Sequence, residues 1–322
     1  MMRMAAVSAL ALALAAPSAA RAQDYPTHPV KLILPQPPGG AVDLIARSLA
    51  DRLTEQMHQP VIVENRPGAN GGLAAGDVTR SNPDGYTLMV AVDTNLVVNP
   101  TLYPELQYAP FRDFTPISVL ASVELVLMVN ANVPVDNVRG LIAYASANPG
   151  KLNYASIGLG TQQHLGMELF KLMTKTDINQ VEYRGSAAAM TDLAAGHVEV
   201  MINGPSLARP LAQAGKLKLL AVTGKQPSPY LPGIPTVDES GVPGFEVTGW
   251  FGMVAPAATP NPILDRLTAE VQKATADPKF RDRMSAQGLD PVGSTPAEML
   301  ALMQSDTKKW AAVIKATGAK VQ

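Results

Sequence analysis

Few side chains in this chain have the type and spacing for chemistry. His164 and Glu168 stand four residues apart in a segment of helical periodicity, a spacing at which a histidine and a carboxylate can share a metal ion. A zinc site needs three or four ligands. No second His-plus-acid pair occurs, and His28, His58 and His197 are scattered elsewhere, so no metal is expected and His164 is read as a brace for the loop before it. The chain has no cysteine, which removes thiolate nucleophiles and thiolate metal sites. It has no G-x-S-x-G elbow for acyl transfer and no paired carboxylates at facing strand ends. The expectation is a protein without catalysis and without a cofactor.

What remains is chemistry suited to holding an anion. The stretch PQPPGGAVD (35–43) lacks the Lys-Ser/Thr of a phosphate loop. Its prolines stiffen the path, and its glycines bare backbone N–H groups beside the start of a helix, where unpaired donors and the helix dipole attract negative charge. The alternative is a plain strand-to-helix connection. Asp43 serves either as a cap or as a ligand contact. GLGT (158–161) falls short of a dinucleotide fingerprint, because Gln163 stands where the third glycine belongs. As a second helix start it offers Gly160, the Thr161 hydroxyl and the Gln163 amide to the other end of a ligand, unless Thr161 only caps its helix. Asp93, Thr94 and Asn95 follow a strand and belong at the same cleft; a buried Asp93 beside an anion would be costly unless paired, and would select an amino or hydroxyl group, the alternative being that Asp93 faces solvent or caps a turn. Arg184 is the only cation on a predicted cleft loop, a bidentate carboxylate clamp or a surface residue. Trp250 either packs at a hinge or stacks on the ligand.

These residues need elements to position them. VKLIL (30–34) reads as a buried strand. Val42, Ile45, Ala46, Leu49, Ala50, Leu53 and Met57 then recur at helical spacing, with Asp43, Arg47, Asp51 and Glu55 opposite. PVIVEN (60–65), the loop RPGANGG and YTLMVAV (86–92) continue the alternation of a parallel α/β sheet. The same grammar returns in LNYASI (152–157), a helix from 162, INQVEY (178–183), a helix with Ser186 as N-cap and Gly196 as C-cap, VEVMI (198–202) and KLKLLAVT (216–223). Between and after these units, ISVLASVELVLMV (117–129) and FEVTGWFGMVAP (245–256) read as two long strands crossing between lobes. The predicted organisation is α/β with two lobes, each a mostly parallel sheet flanked by helices. Residues 23–122 with 248–322 form lobe 1 and 123–247 form lobe 2. The ligand lies in the cleft between them, off the carboxyl ends of the strands.

Composition agrees with an exported binding module. Of 322 residues, 47% are hydrophobic, enough for two ordinary cores. Residues 1–22 read as a secretory signal peptide: Arg3, an apolar run too short to span a bilayer, then Ala20-Arg21-Ala22, with cleavage expected after Ala22 and a periplasmic destination. Losing Arg3 and Arg21 leaves 24 basic side chains against 27 acidic, and no basic stripe interleaved with aromatics, so nucleic acid is not a partner.

The chain resembles the Bug-type receptors of tripartite tricarboxylate transporters. PQPPGGAVDLIAR (35–47), VENRPGANGG (63–72), NPDGYTL (82–88), NPTLY (99–103), GLGTQQHLGMELF (158–170), VEYRGSAAAMTDLAAGHVEV (181–200), LPGIPTVDESGVPGFE (231–246) and WFGMVAP (250–256) carry the resemblance by their order and spacing. It implies a type II periplasmic-binding-protein fold, a small organic carboxylate as ligand, permease subunits as partners, a monomer and no catalysis. A receptor feeding a two-component sensor kinase would use the same lobes, and an enzyme on this fold is the remaining alternative. The resemblance also implies that the first loop holds one ligand carboxylate at Gln36, Pro37, Gly39, Gly40, Ala41 and Val42. Four positions depart from the family pattern: Gln36 replaces a frequent aromatic, Val42 a hydroxyl residue, Leu96 a histidine, and Asn203 a frequent Asp. With Trp250, the apolar Val42 and Leu96 point to an aromatic carboxylate.

Overall fold

A computed structural model describes residues 25–319; the expected leader lies outside them. The chain first lays down β1 (Val30–Leu34), α1 (Ala41–Met57), β2 (Val61–Asn65), α2 (Gly72–Thr79), β3 (Thr87–Val92), three short helices, α3 (Asp93–Val97), α4 (Asn99–Leu102) and α5 (Pro110–Asp113), and β4 (Phe114–Glu124). It then builds β5 (Val126–Asn130), α6 (Val138–Ala147), β6 (Leu152–Ser156), α7 (Gln162–Thr174), β7 (Ile178–Glu182), α8 (Ser186–Ala195), β8 (Val200–Asn203), α9 (Pro205–Gln213) and β9 (Leu217–Val222). It ends with β10 (Thr248–Pro256), α10 (Asn261–Ala276), α11 (Pro278–Ser285), β11 (Asp290–Pro291) and α12 (Pro296–Thr317).

Two sheets result, ordered β11-β4-β10-β3-β1-β2 and β7-β6-β8-β5-β9, the two-lobe α/β fold expected. β1 pairs in parallel with β2 and β3, and β6 with β7 and β8. Each sheet takes in one crossing strand running against its neighbours: β10 between β3 and β4, and β5 between β8 and β9. Strands covered by helices on both faces read as continuous apolar runs, as β1 and β3 do. On α1, Val42, Ile45, Ala46, Leu49 and Leu53 are wholly buried on the apolar stripe, while Arg47 and Asp51 stay outside.

The stretch 117–129, expected as one strand, is two strands in different sheets, parted at Leu125. Buried Thr223 holds the junction. Its Oγ1 accepts the Leu125 N–H at 3.1 Å and its hydroxyl donates to the Val247 carbonyl at 2.6 Å, so the outgoing and returning crossings share one side chain. Helix α12 packs on β4 and α3 and also on α7, across both lobes. No helix among the described residues is long and apolar enough to cross a membrane.

Candidate functional site

The strands of each sheet deliver their loops to the carboxyl edge, and the two edges meet. Gln162 at the start of α7 donates its side-chain amide to Asp93 Oδ2 at the start of α3, 2.5 Å away. Beside it, Gly160 packs on α4: a Cβ there would lie 2.5 Å from Leu102 Cδ2. The backbone at Gly160 has φ 78°, which also favours glycine. These contacts turn the rim of one lobe toward the rim of the other.

On the first lobe, Gln36, Pro37, Gly39, Gly40 and Ala41 are exposed in the loop before α1. Gly40 caps the helix with no side-chain hydrogen bond, so the first N–H groups of α1 keep their donors for something else. Asp43 braces this loop. Its carboxylate accepts from Gly39 N at 3.1 Å, Arg47 Nε at 3.0 Å and Asn65 Nδ2 at 3.1 Å, and Asn65 Nδ2 also reaches the Gln36 carbonyl at 2.9 Å. The hydrogen bond from Arg47 holds the Asp43 carboxyl below the usual carboxylate range. Asp43 thus acts as a loop brace, with its oxygens turned to protein donors.

The next loop carries Ala69 and Asn70 at φ 48° and 49°, left-handed values rare outside glycine. Two side chains hold it there: Asn95 Nδ2 and Asn99 Nδ2 both donate to the Asn70 carbonyl, at 3.0 and 2.9 Å. Asn95 is buried in this role. Thr94 is half-buried, and its N–H donates to Asp93 Oδ1 at 2.6 Å.

On the second lobe, Gly185 caps α8 and Gly204 caps α9, neither with a side-chain bond and neither with any atom near where a Cβ would stand. Ser186, expected as the α8 cap, is its first helical residue instead, because extended Gly185 takes the boundary position. Arg184 is exposed immediately before that helix start and takes part in no ion pair among the described residues. Thr161 does cap α7: Oγ1 accepts the His164 N–H at 3.3 Å and donates to the Gly158 carbonyl at 2.8 Å. His164 is buried, and its ring Nδ1 accepts the Gly160 N–H at 3.4 Å, the bracing role expected for it; burial lowers its pKa. Gln163 is half-buried and donates to Asn203 Oδ1 at 3.4 Å; Asn203 is buried and takes the Gly204 N–H at 2.9 Å.

Three readings need correction. Val42 and Leu96 are wholly buried, one in the core under α1 and the other in the core shared by α3, α7 and α12, so neither side chain lines a cleft. Trp250 is 2% exposed, and its indole N–H goes to Asp306 on α12 at 2.9 Å. Only its backbone N–H reaches the rim, donating to Asp93 Oδ2 at 3.2 Å. The argument for an aromatic ligand falls with these three. A separate concavity of about 450 Å³, lined by Ser122, Thr248, Trp250, Asp306 and Lys309, lies between β4, β10 and α12.

Asp93 is completely buried, and burial raises its pKa to about 7. Sequence reasoning missed Gln162, Asn65 and Asn99. Asn65 had a signal, since it ends β2 on the ligand-facing edge, whereas Asn99 opens the short helix α4. Gln162 had none, because its partner lies 69 residues away in the chain.

The model of the tripartite tricarboxylate transporter family receptor matches residues 45–319. Protein BugT of Bordetella pertussis is 35% identical over 94% of this chain and 93% of its own. A solved structure of R. palustris Rpa4515 with adipate is 36% identical, with a TM-score of 0.80 over 92% of this chain and 100% of that one. MatC from Rhodopseudomonas palustris with bound malate is 30% identical, with a TM-score of 0.75 over 90% of this chain and 100% of that one.

Proposed function

The chain belongs to the tripartite tricarboxylate transporter receptor family, and on that premise we propose that it captures a small organic carboxylate between its lobes and presents it to the permease subunits of such a transporter. One observation carries this reading. Glycine-capped helix starts with open donors stand on both rims, α1 on one and α8 and α9 on the other, with exposed Arg184 beside α8. Such termini suit an anion, and a ligand with two acidic or polar ends can engage both lobes at once. The acids near the rims do not oppose it: Asp43 is tied to Arg47, and Asp93 is wholly buried with its oxygens turned to N–H donors.

The solved relatives hold adipate and malate, both aliphatic. With Val42, Leu96 and Trp250 in the cores, an aliphatic acid is the better candidate here. Contact with both lobes stabilises the closed form alone, so ligand shifts the population toward closure. We place the mature monomer, beginning at Gln23, in the periplasm, as a receptor and not as an enzyme.

Thermal melting of residues 23–322 against mono- and dicarboxylates tests the assignment. A ligand at a hundred times its Kd adds about 2.7 kcal/mol to the native state. A panel in which no carboxylate raises the melting temperature, while uncharged or cationic solutes do, overturns it.

A further inference from the structure

Asp93 is a carboxylate with no cation beside it. It is wholly buried, and its three partners are N–H groups: Thr94 N and Trp250 N from its own lobe, and Gln162 Nε2 from the other. Gln162 Oε1 is itself buried and has no hydrogen-bond partner. A half-turn of the amide offers that oxygen to a carboxyl proton on Asp93, so the neutral carboxyl has an acceptor on the other lobe.

We propose that Asp93 and Gln162 form a proton-operated latch between the lobes, in which the neutral carboxyl holds them together and the carboxylate lets them part. The proposal rests on the reading of the two lobes as a closing pair. Burial first, and then the charge of Asp306, favour the proton against the three N–H donors. Asp306 of α12, held by Lys309 Nζ at 2.9 Å and by the Trp250 indole, adds negative charge on the β10 side and raises Asp93 further. On α7, the nearest titratable side chain in the chain is buried His164, which burial disfavours as a cation. Parting the lobes lets water reach Asp93 and returns it to the ordinary carboxylate range. Closure therefore takes up a proton between that range and about pH 7, where the closed carboxyl titrates. Within that window acidification favours closure by up to about tenfold per pH unit.

Small-angle X-ray scattering of the ligand-free protein at pH 5 and pH 8 tests the latch. The wild type is expected to have the smaller radius of gyration at pH 5. Asp93→Asn, which mimics the neutral carboxyl, is expected to be compact at both values. Gln162→Ala, which removes the amide of the second lobe and leaves Asp93 in place, is expected to lose the acid compaction. The latch is wrong if Asp93→Asn follows the wild-type profile, whether that profile is flat or sloped, or if Gln162→Ala compacts in full. Should Asp93→Asn fail to fold, Gln162→Ala decides alone. No ligand enters the experiment, so its failure leaves the carboxylate assignment untouched, and a blank ligand panel leaves the latch standing.

Discussion

Replacing Thr223 by valine keeps the branched shape at the lobe junction and removes only the hydroxyl. Two buried backbone groups then lose a partner: the Leu125 N–H, held at 3.1 Å, and the Val247 carbonyl, held at 2.6 Å. Each orphaned group costs about 1–3 kcal/mol. The added methyl returns roughly 1 kcal/mol, leaving a loss of about 3 kcal/mol. Denaturant unfolding reads this as a lower midpoint at an unchanged slope. Thr223→Ser is the control. It keeps the hydroxyl and drops one methyl, for a loss of about 1 kcal/mol. The remaining tie, Val247 N to the Thr223 carbonyl at 2.8 Å, survives in both variants, so the fold is retained and the comparison isolates the hydroxyl. A valine variant within about 0.5 kcal/mol of wild type, or one more stable than the serine variant, refutes the assignment of Thr223 as the tie between the crossings.

Asp43→Ala removes the brace of the first loop. At pH 7 it is expected to lose about 2 kcal/mol of stability and to weaken ligand binding about tenfold, since the loop must then be ordered on binding. Because the folded carboxyl titrates below its ordinary range, the stability difference is present above that range and shrinks as pH falls through the lower value, which thermal melts from pH 7 downward will show. Gly160→Ala meets both a left-handed backbone, at about 1–2 kcal/mol, and the Leu102 side chain; melting should show the loss, with part of it restored by adding Leu102→Ala. Arg184→Ala is expected to raise the ligand Kd about tenfold by calorimetry with no change in melting temperature, since the side chain is exposed and in no ion pair among the described residues.

The elements were legible because the physics that makes them is local. The α1 stripe from Val42 to Met57 and the strands β1, β3 and β6 stand within a residue or two of the sequence expectation. The break at Leu125 was not legible. Both halves of 117–129 are mostly apolar, with Glu124 the one charge before the break, and the residue that fixes the break, Thr223, comes 98 positions later. The loops were found, but their side chains were harder. Val42 was assigned to the pocket by likeness, while its place on the helical stripe already put it in the core. Asp43 and Asn95 look like ligand contacts from their position, yet Asp43 is held by Gly39 N, Arg47 and Asn65, and Asn95 donates to the Asn70 carbonyl. Gln162 and Trp250 meet Asp93 only through tertiary approach, which no spacing in the chain announces.

The central claim is that one carboxylate ligand bridges the glycine-capped helix starts of both lobes. Its most direct test is a titration with adipate or malate followed by the backbone amide resonances of Gly40, Ala41, Gly185 and Ser186. The account predicts that the amides of both loops shift together along one binding curve, with the arginine side-chain resonance of Arg184 moving on the same curve. Shifts confined to one lobe, or absent from all four amides while the ligand demonstrably binds, would contradict it.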